Sequence, residues 1–203
     1  MGMRTSQRRL PHQYPEGKWL FVTWSLHGSL PQARYPPPDK QSSGKAFVWM
    51  DRYLDLAPTG PRFLSQPEIA ELVIHSLHKG VGLHHYDLGA WVIMANHVHV
   101  LLLPIINPAL LLKSLKGATA REANKLLNRT GQHFWQAESY DHWVRNEQEY
   151  SRIVDYIELN PVKAGLVQCP EDYQWSSANP GRRFETSLET ADTSVCATAS
   201  PRP

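Results

Sequence analysis

Hydrophobic and polar residues are spaced along this chain in runs that predict its elements. Residues 19–26, WLFVTWSL, are aromatic and β-branched and predict a first strand. Residues 29–44, SLPQARYPPPDKQSSG, hold prolines and small polar residues that cannot continue a strand, so an exposed loop is expected. From Pro61 to Gly80 the apolar positions Ile69, Leu72, Val73 and Leu77 recur at helical spacing, with Gly80 as the stop. Two further strands, 86–94 and 97–103, flank Ala95 and Asn96 and read as a hairpin.

A second helix opens at Asn107 or Pro108 and is expected to run to near Gly131, followed by an aromatic stretch, 132–145, that suits a loop and a short strand. Asn146 and Glu149 form a capping-box-like start to a last helix. Its stripe is Tyr150, Ile153, Val154 and Ile157, and Pro161 forces its end. Periodicity lapses beyond Trp175, and from Thr186 the chain is rich in Ser, Thr, Ala and Pro. Residues 1–17 therefore read as a polar N-terminal segment, 18–178 as one folded domain and 179–203 as a disordered tail. The order strand, helix, hairpin, helix, strand, helix predicts an α+β fold: a ferredoxin-like antiparallel sheet with helices packed mainly on one face.

Composition narrows the class. With 203 residues, 41% of them hydrophobic, the chain has material for one ordinary core. No run of about 20 apolar residues exists, so no membrane partner is expected. The N-terminus lacks the apolar core of a cleaved secretory signal. Cys169 and Cys196 lie far apart without a CxxC pair, which indicates neither a disulfide framework nor a thiolate zinc site and fits a cytoplasmic location. A net charge of +2 does not mark a nucleic-acid binder. The distribution is more informative: residues 113–129 carry Lys113, Lys116, Arg121, Lys125 and Arg129 against Glu122 alone. That face is either solvated or a surface for phosphates.

Candidate chemistry sits on two elements. Residues two apart on a strand share a face and lie roughly 6.6 Å apart, so His97 and His99 can aim both imidazoles at one ion. Alone the pair is weak evidence, since about every second chain with ten histidines in this length contains one by chance. Their place just after a tight turn is expected to leave them reachable at the sheet's edge. On the last helix Tyr156 and Asn160, four apart, share a side next to the apolar stripe. A tyrosine hydroxyl, with an ordinary pKa of about 10, is a weak nucleophile. A divalent ion on a non-bridging phosphate oxygen would make phosphorus more electrophilic and steady the transition state. Two imidazoles, an amide oxygen from Asn160 and the Tyr156 hydroxyl together meet the needs of phosphodiester transfer. Imidazoles alone favour zinc, manganese, iron or copper, whereas completion by amide, water and phosphate oxygens suits manganese or magnesium. The stretch 89–103 has no Asp or Glu of the kind that activates water.

The segment AWVIMANHVHVLLLP resembles the histidine-hydrophobe-histidine block of insertion-sequence single-tyrosine transposases, and especially that of REP-associated tyrosine transposases. SLKGATAREANKLL, GQHFWQAESYDHWVRNEQEYSRIVDYIELNPVKAGLV and PEDYQWSSA resemble that family's later blocks in order and spacing, over about residues 18–178. The resemblance implies a ferredoxin-like fold, His97, His99 and Asn160 as ligands of Mg2+ or Mn2+, and Tyr156 as nucleophile. It also implies single-stranded DNA bearing hairpins of palindromic repeats as substrate, cut by a monomer or homodimer. Ala95 departs from the proline often found there in the family. For DNA contact the candidates are Lys116, Arg121, Lys125 and Arg129 on the basic helix, with Arg145 and Lys163 near the tyrosine helix. Two alternatives stay open: a hydrolase using metal-activated water, and a non-catalytic domesticated relative that binds DNA hairpins.

Overall fold

A computed structural model describes residues 16–30, 43–56 and 60–182. Most of the polar N-terminal segment, most of the proline-rich loop and residues 183–203 of the expected tail lie outside the described residues. Strands β1 (Leu20–Ser25), β2 (Tyr86–Ile93), β3 (His97–Pro104) and β4 (Tyr140–Trp143) form one sheet in the order β2-β3-β1-β4, with every pairing antiparallel. This is the split β-α-β arrangement of the ferredoxin-like fold, because β3 lies between the two strands that the first crossover connects. The helices are α1 (Ser43–Leu56), α2 (Pro67–Gly82), α3 (Pro108–Leu126), α4 (Glu147–Glu158) and the single turn α5 (Asn160–Lys163).

Side-chain alternation divides the core into two layers. Leu20, Val22 and Trp24 of β1 join Val98, Val100 and Leu102 of β3 under α2 and α3, which contribute Ile69, Val73, Leu77, Leu111 and Leu115. On the other side Phe21 and Leu101 pack with Ala90 and Val92 beneath Phe47 of α1 and Ile157 of α4. Helices α2 and α3 thus cover one face and α1 with α4 the opposite face, where the histidines are, so helices flank both sides of the sheet rather than mainly one. A bulge in β2 sets Gly89 and Ala90 against Leu101 alone. It reverses the alternation, so that Leu88 and Trp91, three apart, pack into the same layer. At Gly89 a Cβ would come within 3.2 Å of the Leu101 carbonyl, the Trp19 ring and the Tyr150 hydroxyl, so the bulge holds the smallest residue.

Several boundaries differ from the sequence expectation. Helix α1 is an element the sequence reading did not include. α3 stops at Leu126, short of Gly131, and Asn128 then takes a positive φ of 54°. α4 closes at Glu158, and Pro161 sits in the first turn of α5, where its missing N–H leaves no bond unmade. Residues 179–182, assigned to the tail, are tied down: Arg182 pairs with Glu71 and donates to the Gln174 carbonyl. Just before them the chain runs along β2, with Ser177 N donating to the Trp91 carbonyl and Ile93 N to the Trp175 carbonyl. That segment covers an otherwise open sheet edge. Cys169 is disulfide-bonded, against the expectation of no such bridge.

Candidate metal centre

His97 and His99 emerge on the same side of β3, as the period of two requires, and their Nε2 atoms stand 3.1 Å apart. They are not reachable at an edge as expected. β3 is an interior strand, and both residues have 0% exposure beneath α1 and α4. Register fixes their outer nitrogens. Thr23, directly opposite His99 on β1, has Oγ1 2.6 Å from His99 Nδ1, and His97 Nδ1 is 2.7 Å from Asn96 Oδ1. Asn96 in turn donates from Nδ2 to the Leu54 carbonyl of α1. Both Nε2 atoms consequently face the same point.

Tyr156 and Asn160 come to that point from α4 and α5. Asn160 is buried, with Nδ2 3.3 Å from His99 Nε2, and Tyr156 lies edge-on to the His99 ring at 5.7 Å between centroids. Helix α1 supplies two residues absent from the sequence candidates. Asp51 places Oδ1 3.0 Å from His99 Nε2 and 3.6 Å from His97 Nε2, while its Oδ2 accepts the Tyr156 hydroxyl. Asp55, one turn later, has Oδ1 3.8 Å from His97 Nε2. A signal for Asp51 existed. Phe47, Met50, Asp51 and Leu54 follow helical spacing, which places a carboxylate on an otherwise apolar stripe, where burial demands a partner.

Electrostatics matches a cation site. Burial, then the neighbouring His99, pushes His97 down to about 3, leaving its ring neutral and able to ligate. Burial would raise the Asp51 carboxyl, but His99, His97 and the Tyr156 hydroxyl together hold it well below the ordinary carboxylate range. Burial and the charge of Asp51 push Asp55 up to about 7. Tyr156 is driven far above the usual phenol by burial, by the Asp51 charge and by its hydrogen bond to that carboxylate. Two oxygens around the imidazoles, Asp55 Oδ1 and Asn160 Oδ1, are buried without a hydrogen-bond partner, and Asp51 Oδ1 faces the two Nε2 atoms. Orphaned buried acceptors beside two imidazole nitrogens are what a cation would satisfy. Exchanging the similarly shaped O and N of the Asn160 amide would turn its unpartnered oxygen toward His99. Asp51, His97 and His99 form a group able to hold an ion, with ligand atoms all within 4.8 Å of one another. The set fits a divalent metal with mixed nitrogen and oxygen ligands.

The candidate DNA cations divide between the two faces. Lys163 stands at this centre, its Nζ 4.7 Å above the Tyr156 ring, and Arg145 lies just ahead of α4 with its guanidinium 5.9 Å from the Trp143 ring. Lys116, Arg121 and Lys125 belong to α3, across the sheet from the histidines. Lys116 donates to the Gln136 and Ala137 carbonyls, and Lys125 pairs with Glu122. Arg129 lies over Phe63 with its guanidinium carbon 4.3 Å from the ring centre. Among the described residues no helix is long and apolar enough to cross a membrane.

Residues 62–160 match the family model described as IS200-like transposase, a span that takes in His97, His99, Tyr156 and Asn160 and leaves out Asp51. A REP-associated tyrosine transposase of Escherichia coli (strain K12) is 30% identical over 95 residues, covering 45% of this chain and 54% of that protein. A Haemophilus influenzae protein provisionally given the same name is 30% identical over 103 residues, 45% of this chain and 58% of its own length. The match thus spans about half the length of these curated relatives. A solved REP-associated tyrosine transposase bound to a REP hairpin covers 93% of this chain and 96% of its own, with TM-score 0.53 and 18% identity, a likeness of fold.

Proposed function

We propose, from the premise that residues 62–160 are a transposase domain of the IS200-like family, that this chain is a metal-dependent endonuclease and strand transferase for single-stranded DNA. In this reading it recognises hairpins of palindromic repeats and cuts beside them through a phosphotyrosine. It acts in the cytoplasm as a monomer or homodimer. The observation that carries the reading is the convergence of Tyr156 and the buried oxygens of Asp51, Asp55 and Asn160 on the paired Nε2 atoms of His97 and His99. His97, His99 and Asn160, together with Asp51, would hold Mg2+ or Mn2+. When bound, the ion supplies Lewis-acid polarisation of a phosphate oxygen and offsets charge in the transition state.

The chain's own residues do the rest. Tyr156 Oη attacks phosphorus and a backbone P–O bond breaks. Asp51 orients the phenol through the hydrogen bond it accepts, the phenolic proton passes to water, and the departing deoxyribose oxygen takes a proton from water. The phosphotyrosine keeps the phosphodiester bond energy, so a hydroxyl of another DNA end can reverse the step and join strands. Lys163, above the phenol ring, favours negative charge on Oη and on the incoming phosphate. Arg145, over the Trp143 ring at the end of β4, would contact DNA at that edge of the sheet. Lys116, Arg121, Lys125 and Arg129 would contact DNA where a hairpin extends past the other face.

The reading is tested by incubating hairpin-bearing single-stranded DNA with Mn2+ or Mg2+. A covalent protein–DNA adduct is expected that is lost in Tyr156→Phe and in His97→Ala. Cleavage that continues in Tyr156→Phe without an adduct would establish the water-using hydrolase instead. Hairpin binding with no cleavage under either metal would establish the non-catalytic relative.

A further inference from the structure

We infer that Thr23 and Asn96 are positioning residues that give the two histidines unequal parts: Asn96 fixes the tautomer of His97, while the Thr23 hydroxyl lets His99 exchange tautomers as a cation arrives. The inference rests on the proposed metal reading. Asn96 Nδ2 is committed to the Leu54 carbonyl at 2.9 Å, so Oδ1 faces His97 and accepts from its Nδ1–H at 2.7 Å. An amide oxygen can only accept. His97 therefore keeps its proton on Nδ1 and a lone pair on Nε2, the ligating form, with or without an ion.

His99 stands differently. Its Nε2 is 3.1 Å from His97 Nε2, 3.0 Å from Asp51 Oδ1 and 3.3 Å from the Asn160 amide; a lone pair there would face that of His97 and the Asp51 carboxylate, so a neutral His99 without a cation carries its proton on Nε2, with the Asn160 amide turned to present its oxygen. Thr23 then donates to His99 Nδ1 across 2.6 Å. Ligation needs the reverse, with the proton on Nδ1 and the lone pair on Nε2. A hydroxyl, alone among small side chains of this shape, both donates and accepts. Thr23 is buried and directly opposite His99 in the register, so it can turn its proton away and accept from Nδ1–H without any backbone movement. Such partners of ligating imidazoles change metal affinity by roughly 10–100-fold.

Nitrogen-15 NMR of the imidazoles tests this without turnover. In the metal-free protein His97 is expected as the Nδ1–H form and His99 as the Nε2–H form, with His99 converting to Nδ1–H on adding Mg2+. Calorimetric titration with Mn2+ should show Thr23→Val and Asn96→Ala weakened by about 10-fold or more, with Thr23→Ser close to wild type. Melting curves establish that each variant is folded. A metal-free His99 that is already Nδ1–H or doubly protonated overturns the exchange, as does Thr23→Val binding Mn2+ like the wild type or Thr23→Ser failing as badly as Thr23→Val. Wild-type protein that takes up no Mn2+ overturns the metal reading itself, and the role assigned to Thr23 with it.

Discussion

Tyr156 donates its phenolic hydrogen bond to Asp51, a residue on a helix outside the stretch matched by the transposase family. The same carboxylate faces both imidazoles, so the proposed nucleophile and the proposed ligands are held by one side chain. Mn2+ present at about 100 times its dissociation constant should stabilise the fold by about 2.7 kcal/mol. For a domain of this size that is a rise of roughly 5–10 °C in Tm. Thermal melts should show the rise in the wild type, a smaller one in Asp51→Asn and none in His97→Ala. An unchanged wild-type Tm in millimolar Mn2+ would refute the site.

Lys163 and the α3 cations lie on opposite sides of the sheet, which gives a sided prediction. Lys163→Ala should lower adduct formation on a short hairpin substrate by about 10-fold, in keeping with roughly 1–2 kcal/mol for a partly desolvated cation over an aromatic ring. Arg121→Ala combined with Lys125→Ala should change it by less than about 3-fold and should show chiefly in the salt dependence of binding. Equal losses from both sets, read by gel assay of the adduct, would mean that DNA engages both faces.

Gly80, inside α2, abuts Tyr86: a Cβ there would overlap the ring and hydroxyl of a phenol that donates to the Leu77 carbonyl at 2.7 Å. Glycine to alanine in a helix interior ordinarily stabilises by up to about 1 kcal/mol. Here the sign reverses, and Gly80→Ala is expected to destabilise by about 1–3 kcal/mol through overpacking. In a Tyr86→Ala background the same substitution should become neutral or favourable, a coupling that denaturant melts of the double-mutant cycle would reveal.

His78 packs edge-on to Trp91 at 5.7 Å, and burial, then the charges of Arg182 and His75, lower its pKa below the ordinary 6.5. With the folded value depressed, the unfolded chain binds the proton first. The contribution of His78 is therefore present above about pH 6.5 and fades as pH falls toward the folded value. His78→Gln should flatten the decline in stability between pH 7 and 5. Parallel slopes for variant and wild type in pH-dependent melts would exclude the effect.

The strands, the hairpin and the four residues His97, His99, Tyr156 and Asn160 were legible because alternation and helical spacing act over a few residues. Helix α1 was not, since proline-rich text at 29–44 and Pro58 and Pro61 on its far side drew attention to loops. Asp51 shows the same limit more sharply. Its partners lie 46 or more positions away, and its meaning depends on a fold that brings β3 and α4 beneath α1. The basic run on α3 showed charge, yet its side of the sheet follows only from the packing of Leu111, Leu112 and Leu115 into the layer opposite the histidines. The burial of His97 and His99 likewise depends on strand order, which local pattern does not encode.

That strand order divides the centre into parts of different persistence. His97 and His99 sit on a strand bonded on both sides, so they separate only when the sheet itself opens. Asp51 and Asn160 arrive on helices outside the sheet's hydrogen-bond ladder, so they are expected to open while the sheet stays whole. The imidazole half of the site is thus permanent for the life of the fold. The oxygen half depends on helices alone, and hydrogen exchange is expected to find α1 and α5 opening at lower free energy than β3.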